Sequence, residues 1–265
     1  MTPHQLLEHD DSGQPWPEQI EAAAFGGLAD AYQAALAVRA LRVARGEQPR
    51  GFKIGFTNRT LWERYKVYAP IWGTVWDTTL TFCNGSGELD LACTCQPRIE
   101  PELVFGIKAR PKNDADLDDL YAAIGWVATG FEIVQSHRPG WKFTAPETVA
   151  DAGLHARLLV GPRVPLDEIS SSAQELSALL ARVDVSLQKI GAQVDQGVGC
   201  NVLDSPLKAL LHFIKELRQC PGAPDLEAGD IVTTGTWTDA WPVLPGQRWS
   251  AEFGPPLRPQ QVDFR

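Results

Sequence analysis

Arg98-Ile99-Glu100-Pro101-Glu102-Leu103-Val104-Phe105-Gly106-Ile107 sets two carboxylates two residues apart at the head of an apolar, strand-forming run. Side chains alternate faces in an extended chain, so Glu100 and Glu102 point the same way while Ile99, Leu103 and Phe105 meet other surroundings. Like charges held that close repel, and a site that keeps them together usually contains a cation. Oxygen-only ligands on a rigid strand favour a hard ion such as Mg²⁺, Mn²⁺ or Ca²⁺ over zinc. The same spacing fits a solvated strand face with two surface glutamates. Pro101 lacks a backbone donor and predicts an edge strand or a bulge.

Outward from this stretch the chain reads as short strands with few helices. On the N-terminal side, apolar positions at helical spacing predict a helix over 29–44, with Gly46 as a C-cap and Pro49 beyond it. Gly51-Phe52-Lys53-Ile54-Gly55-Phe56-Thr57 predicts a strand in which one lysine interrupts apolar residues. Lysine is seldom buried without a purpose, though an edge strand would leave it in water. Residues 58–77 are rich in aromatics (Trp62, Tyr65, Tyr68, Trp72, Trp76), the composition of a lid, an oligomer contact or plain core. On the C-terminal side, residues 114–127 read as a helix with an acidic start, and Gly130-Phe131-Glu132-Ile133-Val134 as an apolar strand whose one acid either faces water or meets a partner. A further strand is expected at 156–160 and a helix at 206–218. Such a succession suggests an α+β protein on a folded or rolled sheet.

The 265 residues suffice for one large domain with a small N-terminal extension, and 44% hydrophobic with 22% charged residues is ordinary for a globular protein. No apolar run approaches the roughly 20 residues of a membrane span. The opening Met1-Thr2-Pro3-His4-Gln5 has no basic segment followed by an apolar one, which predicts a cytoplasmic protein without a signal peptide. A net charge of −9 disfavours nucleic acid as a partner. The cysteines, Cys83, Cys93, Cys95, Cys200 and Cys220, are odd in number and lack Cys-x-x-Cys spacing, so free thiols are expected, with neither zinc nor disulfides. Gly-x-Gly occurs only at Gly85-Ser86-Gly87 and Gly197-Val198-Gly199, and neither continues into a nucleotide-binding loop.

Taken together, residues 51–57, Arg98-Ile99-Glu100-Pro101-Glu102, Phe131-Glu132-Ile133-Val134, Thr148-Val149-Ala150-Asp151 and Gly229-Asp230-Ile231-Val232-Thr233-Thr234-Gly235-Thr236 resemble the fumarylacetoacetate hydrolase superfamily. More narrowly, they are similar to its 2-keto-4-pentenoate hydratase and 4-oxalocrotonate decarboxylase branch, in the right order over nearly the whole chain. The resemblance implies an α+β fold with a mixed β-sandwich or roll and a few flanking helices. It also implies a helical extension over 1–50 ahead of a catalytic domain over 51–265. It puts Glu100, Glu102 and Glu132 on the ligands of a divalent metal, Mg²⁺ first and Mn²⁺ second, and Lys53 on the active-site lysine. Gly55, Thr57, Asp151, His155 and Thr236 fall in the substrate-binding segments.

The implied activity is that of a lyase: a hydratase adding water to a 2-hydroxy-2,4-dienoate to give a 4-hydroxy-2-oxo acid, in aromatic or related ring catabolism. Such a substrate chelates the metal, which stabilises the negative charge on the 2-oxygen, while a lysine beside a cation has its pKa lowered toward a proton-relaying range. Alternatives are a 4-oxalocrotonate-type decarboxylase, an acylpyruvate-type C–C hydrolase, or a non-catalytic oligomeric partner. A homo-oligomer associated with a pathway decarboxylase is also implied. The chain departs from the branch at Ala152-Gly153-Leu154-His155, where an asparagine and small hydroxyl residues are typical. That leaves His155 and His137 as additional titratable groups near the site or as structural histidines.

Overall fold

A computed structural model describes residues 1–265, the side chains of residues 22 and 23 excepted. The first part of the chain forms β1 (Pro49–Gly55), β2 (Ile71–Trp76), β3 (Leu80–Phe82), β4 (Ser86–Leu89), β5 (Arg98–Ile107) and β6 (Ile124–Val134). Then come β7 (His155–Val160), β8 (Val164–Pro165), β9 (Asp184–Lys189) and β10 (Ala192–Val198). The last are β11 (Ile231–Thr233), β12 (Trp241–Pro242), β13 (Arg248–Phe253) and β14 (Gln260–Phe264). A nine-stranded mixed sheet runs β2-β1-β11-β5-β6-β7-β3, with β12 on β5 and β8 on β6, and a five-stranded sheet runs β10-β9-β13-β14-β4. The α+β expectation is met.

One buried cluster joins Phe52, Phe105 and Phe131 of the large sheet to Leu187, Trp249 and Val262 of the small one and to Leu210 and Phe213 of the helix Pro206–Gln219. That helix starts where Ser205 accepts a hydrogen bond from the Lys208 amide and Pro206 occupies the first turn. Leu207, Leu210, Ile214 and Leu217 then form its buried stripe. The helices Pro3–Ser12 and Leu28–Ala44 contribute Leu6, Leu7, Ala31 and Val38 to a smaller cluster with Val67, Ile71 and Val149. No helix among the described residues is long and apolar enough to cross a membrane.

Two local expectations are corrected. The helix expected over 114–127 covers only Leu117–Ala123, capped by Asp116, and the chain turns into β6 at Ile124. Val127 pairs with Phe105 of β5 and with Val164 of β8, so ladder pairing on both sides overrides the local pattern. Pro101 stands in an interior strand instead of an edge. Its neighbours on one side are β12, opposite Arg98 and Ile99, and β11, opposite Val104 to Gly106, and Pro101 falls in the gap between those two short strands. A residue without a donor is tolerated there because no strand faces it on that side.

Candidate metal centre and the adjoining cavity

The antiparallel pairing of β5 with β6 sets Glu100 directly opposite Glu132 and Glu102 opposite Gly130. Residues directly opposite have Cβ atoms about 4.5–5.5 Å apart on one face. The period of two adds Glu102 to that face, and one oxygen from each of the three carboxylates lies within 4.8 Å of the others. Glu102 and Glu132 are fully buried while Glu100 is half-buried at the rim. Lys53, on β1, reaches across β11 to bring Nζ within 3.0 Å of Glu132 Oε2. Gly153 makes room for it: its backbone is left-handed (φ +67°), and a Cβ there would stand 3.1 Å from Lys53 Cδ.

Each carboxylate is held from behind. Glu102 Oε2 accepts a short bond from the Thr233 hydroxyl and one of 2.7 Å from the Gly235 amide. Glu132 Oε1 faces His155 Nδ1 at 2.9 Å, and His155 Nε2 meets Thr79 Oγ1 at 2.8 Å. Burial pushes all three carboxyls above their ordinary range, Glu102 to about 8, with the Glu132 charge adding to burial there and Lys53 opposing it. Burial alone would pull the Lys53 ammonium down. Glu132, Glu100 and Glu102 outweigh it and hold Lys53 protonated above its ordinary value, the reverse of the expected lowering. Burial, with Lys53 and Arg42 adding to it, drives the His155 pKa well below the ordinary histidine value.

These residues fit a divalent cation. Glu102 Oε1 and Glu132 Oε2 are buried without a hydrogen-bond partner, although Lys53 lies at ion-pair distance from the latter. One ammonium offsets only part of three carboxylates, and an all-oxygen donor set suits Mg²⁺ or Mn²⁺.

A cavity of about 250 Å³ opens above Lys53 and Glu100. Gly55, Thr57 and Thr236 line it as expected, whereas Asp151 and His155 do not. Asp151 lies behind the wall, where its carboxylate accepts from the His137 amide at 2.9 Å and pairs with His137 Nδ1 at 2.5 Å. His155 sits behind Glu132. The apolar wall is a run of aromatic contacts, with Phe56 against Tyr65 (4.9 Å), Tyr65 against Phe143 (5.5 Å) and Phe143 against Trp141 (5.8 Å). Within 58–77, Leu61 and Tyr65 line the cavity while Trp72 and Trp76 are core.

Sequence reasoning missed Arg98, Trp141, Phe143 and Leu154 on the wall and Thr233 beneath Glu102. Arg98 was within reach, since the period of two that unites Glu100 and Glu102 also includes it. Its guanidinium stacks 4.1 Å over Trp141 and has no carboxylate partner among the described residues. The left-handed backbone at Phe56 (φ 53°), Trp141 (φ 60°) and Leu154 (φ 68°) leaves no trace in the sequence. Non-glycine residues adopt it where surrounding structure imposes it, commonly at functional sites.

No family model matches the chain. A 4-oxalocrotonate decarboxylase from Pseudomonas sp. is 30% identical over 206 residues, covering 77% of this chain and 75% of that protein. A 2-hydroxyhexa-2,4-dienoate hydratase from Comamonas testosteroni is 29% identical over 221 residues, covering 83% and 80%. Among solved structures, the 4-oxalocrotonate decarboxylase from Pseudomonas putida G7 complexed with magnesium and adipate matches with a TM-score of 0.86 at 25% identity, over 100% of this chain and 99% of that one. With relatives of this extent and a fold shared end to end, the chain belongs to the fumarylacetoacetate hydrolase family, in the lyase branch of the 2-keto-4-pentenoate hydratases and 4-oxalocrotonate decarboxylases.

Proposed function

We propose that this protein is a metal-dependent hydratase that adds water to a 2-hydroxy-2,4-dienoate and yields a 4-hydroxy-2-oxo acid. The observation that carries this is the convergence of Glu100, Glu102 and Glu132, with Lys53 beside them, at the floor of a cavity sized for a small organic acid. The three carboxylates would hold Mg²⁺, with Mn²⁺ as a substitute, and the bound cation supplies Lewis-acid stabilisation of charge on the substrate's 2-oxygen. Lys53 Nζ is the proton carrier at the cavity floor. It delivers a proton to C5 of the dienol as the 2-hydroxyl loses its own, water adds at C4, and C3 takes the remaining proton, so one water is consumed in all. Thr57 and Thr236 offer hydroxyls to the substrate carboxylate, and the aromatic wall keeps bulk water from the diene.

Decarboxylation of a 2-oxo-dienedioate is the second reading, and Arg98 favours it. Its guanidinium on the cavity wall suits a second carboxylate, and the decarboxylase it resembles is known with adipate, a linear dicarboxylate. Steady-state assays of a dienoate and a dienedioate with Mg²⁺ decide between them, hydrated product against released CO₂. Turnover of neither refutes both. Free thiols support a cytoplasmic location. The family resemblance supports a homo-oligomer working beside a pathway decarboxylase, which sedimentation and co-purification test.

A further inference from the structure

His155 and Thr79 are buried, 4% and 6% exposed, and lie outside the substrate cavity. They border a separate depression lined by Asp10, Arg42 and Arg157. Hydrogen bonds link them in series. The Trp76 amide is a donor and meets Thr79 Oγ1 at 3.1 Å, so the hydroxyl oxygen accepts there. A carboxylate that ligates a metal is ionised and can only accept, so with Glu132 in that role His155 Nδ1 at 2.9 Å donates to Oε1. On the far side of the ring, His155 Nε2 meets Thr79 Oγ1 at 2.8 Å, and that hydroxyl also lies 3.2 Å from the Trp76 carbonyl. The series from Trp76 through Thr79 and His155 to Glu132 is anchored in the backbone of β2 by both the amide and the carbonyl of Trp76.

We propose that His155 is a positioning residue for Glu132, that Thr79 fixes the orientation of its ring, and that together they commit Oε1 of Glu132 so that Oε2 is presented to the metal. This rests on the assignment of Glu132 as a metal ligand. Glu132 stands on a strand buried on both faces, and its other oxygen lies 3.0 Å from the Lys53 ammonium, so the imidazole is the hydrogen-bonded restraint on Oε1 among the described residues. Outer partners of this kind orient ligands, and their loss costs about 10–100-fold in metal affinity.

The test is the Mg²⁺ dissociation constant, measured by titration calorimetry on the full chain. His155→Leu fills the space and removes the donor; a roughly tenfold or greater weakening is expected. His155→Asn places an amide N–H near the position of Nδ1 and is expected to remain within about threefold of wild type. Thr79→Val is expected to weaken binding several-fold and Thr79→Ser to restore it. A merely packing role would rank leucine above asparagine, the opposite order. Equal binding by all variants, equal weakening by leucine and asparagine, or a fall in turnover with unchanged Mg²⁺ affinity overturns the proposal. Should His155→Leu not fold, the Thr79 pair decides on the same criteria. Wild-type protein that binds neither Mg²⁺ nor Mn²⁺ refutes the metal assignment itself, whereas wild-type binding with unaltered variants refutes only the positioning role.

Discussion

Replacing Lys53 by methionine keeps the length of the side chain and removes the charge at the floor of the site. Lys53 is 3% exposed, with Nζ 3.0 Å from Glu132 Oε2. At an effective dielectric constant of about 20 that separation corresponds to roughly 5.5 kcal/mol of attraction, and removing one partner of a buried pair costs about 3–5 kcal/mol. Three carboxylates, two of them fully buried, would then stand without a cation. They recover part of the loss by binding protons, because burial raises the Glu102 pKa from 4.5 to about 8 even with Lys53 present. A carboxyl whose folded-state pKa lies above its unfolded value loses stability as pH rises between the two. We therefore expect metal-free Lys53→Met to be about 3 kcal/mol less stable than wild type at pH 8, and the deficit to shrink toward pH 5. Saturating Mg²⁺ takes over the neutralising role, so the deficit should largely close. With no ammonium beside a ligand oxygen, Mg²⁺ should bind at least about tenfold more tightly, about 1.4 kcal/mol. Turnover should fall by roughly 100-fold or more, since proton transfer is lost. Urea denaturation in chelator and in Mg²⁺, with calorimetric titration, measures these quantities. Chelated variant stability within about 0.5 kcal/mol of wild type, or weaker Mg²⁺ binding, would show that Lys53 does not neutralise the cluster.

Thr233→Val removes the hydroxyl that donates to Glu102 Oε2 and leaves the Gly235 amide alone there. A loss of about 1 kcal/mol in stability and roughly tenfold in Mg²⁺ affinity is expected by denaturation and calorimetry, and unchanged affinity would count against Glu102 as a ligand. Gly235→Ala meets both a left-handed backbone (φ +99°) and a Cβ 2.1 Å from Thr57 Oγ1. It should cost about 2 kcal/mol or more in urea denaturation, and a variant as stable as wild type would mean that this turn is not constrained as described. His137 is buried against Asp151; burial pulls its pKa down, but Asp151, with Asp10 and the His9 backbone, more than offsets this, and the net shift is upward from 6.5. A raised folded-state pKa gives stability that is complete below the unfolded value and lost as pH rises through the folded one. His137→Asn should flatten that decline above about pH 6.5, and an unaltered slope would assign it to another group.

Alternation along 98–107 sufficed to place Glu100 and Glu102 on one face, because in a strand the side-chain period is a local property of the backbone. For the same reason Lys53 stood out among apolar neighbours, and the last long helix, expected at 206–218, runs Pro206–Gln219. What joined these pieces is not local. Glu132 comes opposite Glu100 only through the register of β5 with β6, and Lys53 reaches them only because β11, from far along the chain, inserts between β1 and β5. The same cause defeated the helix at 124–127 and the edge position of Pro101, where pairing partners supplied by distant segments outweighed the local signal. His155 lay in a segment marked as unusual, yet its placement behind Glu132, away from the substrate wall, follows from β7 pairing with β6. Residue chemistry and period are written in the chain; which carboxylate meets which cation is decided by strand order and register, set by the burial of both faces of the large sheet.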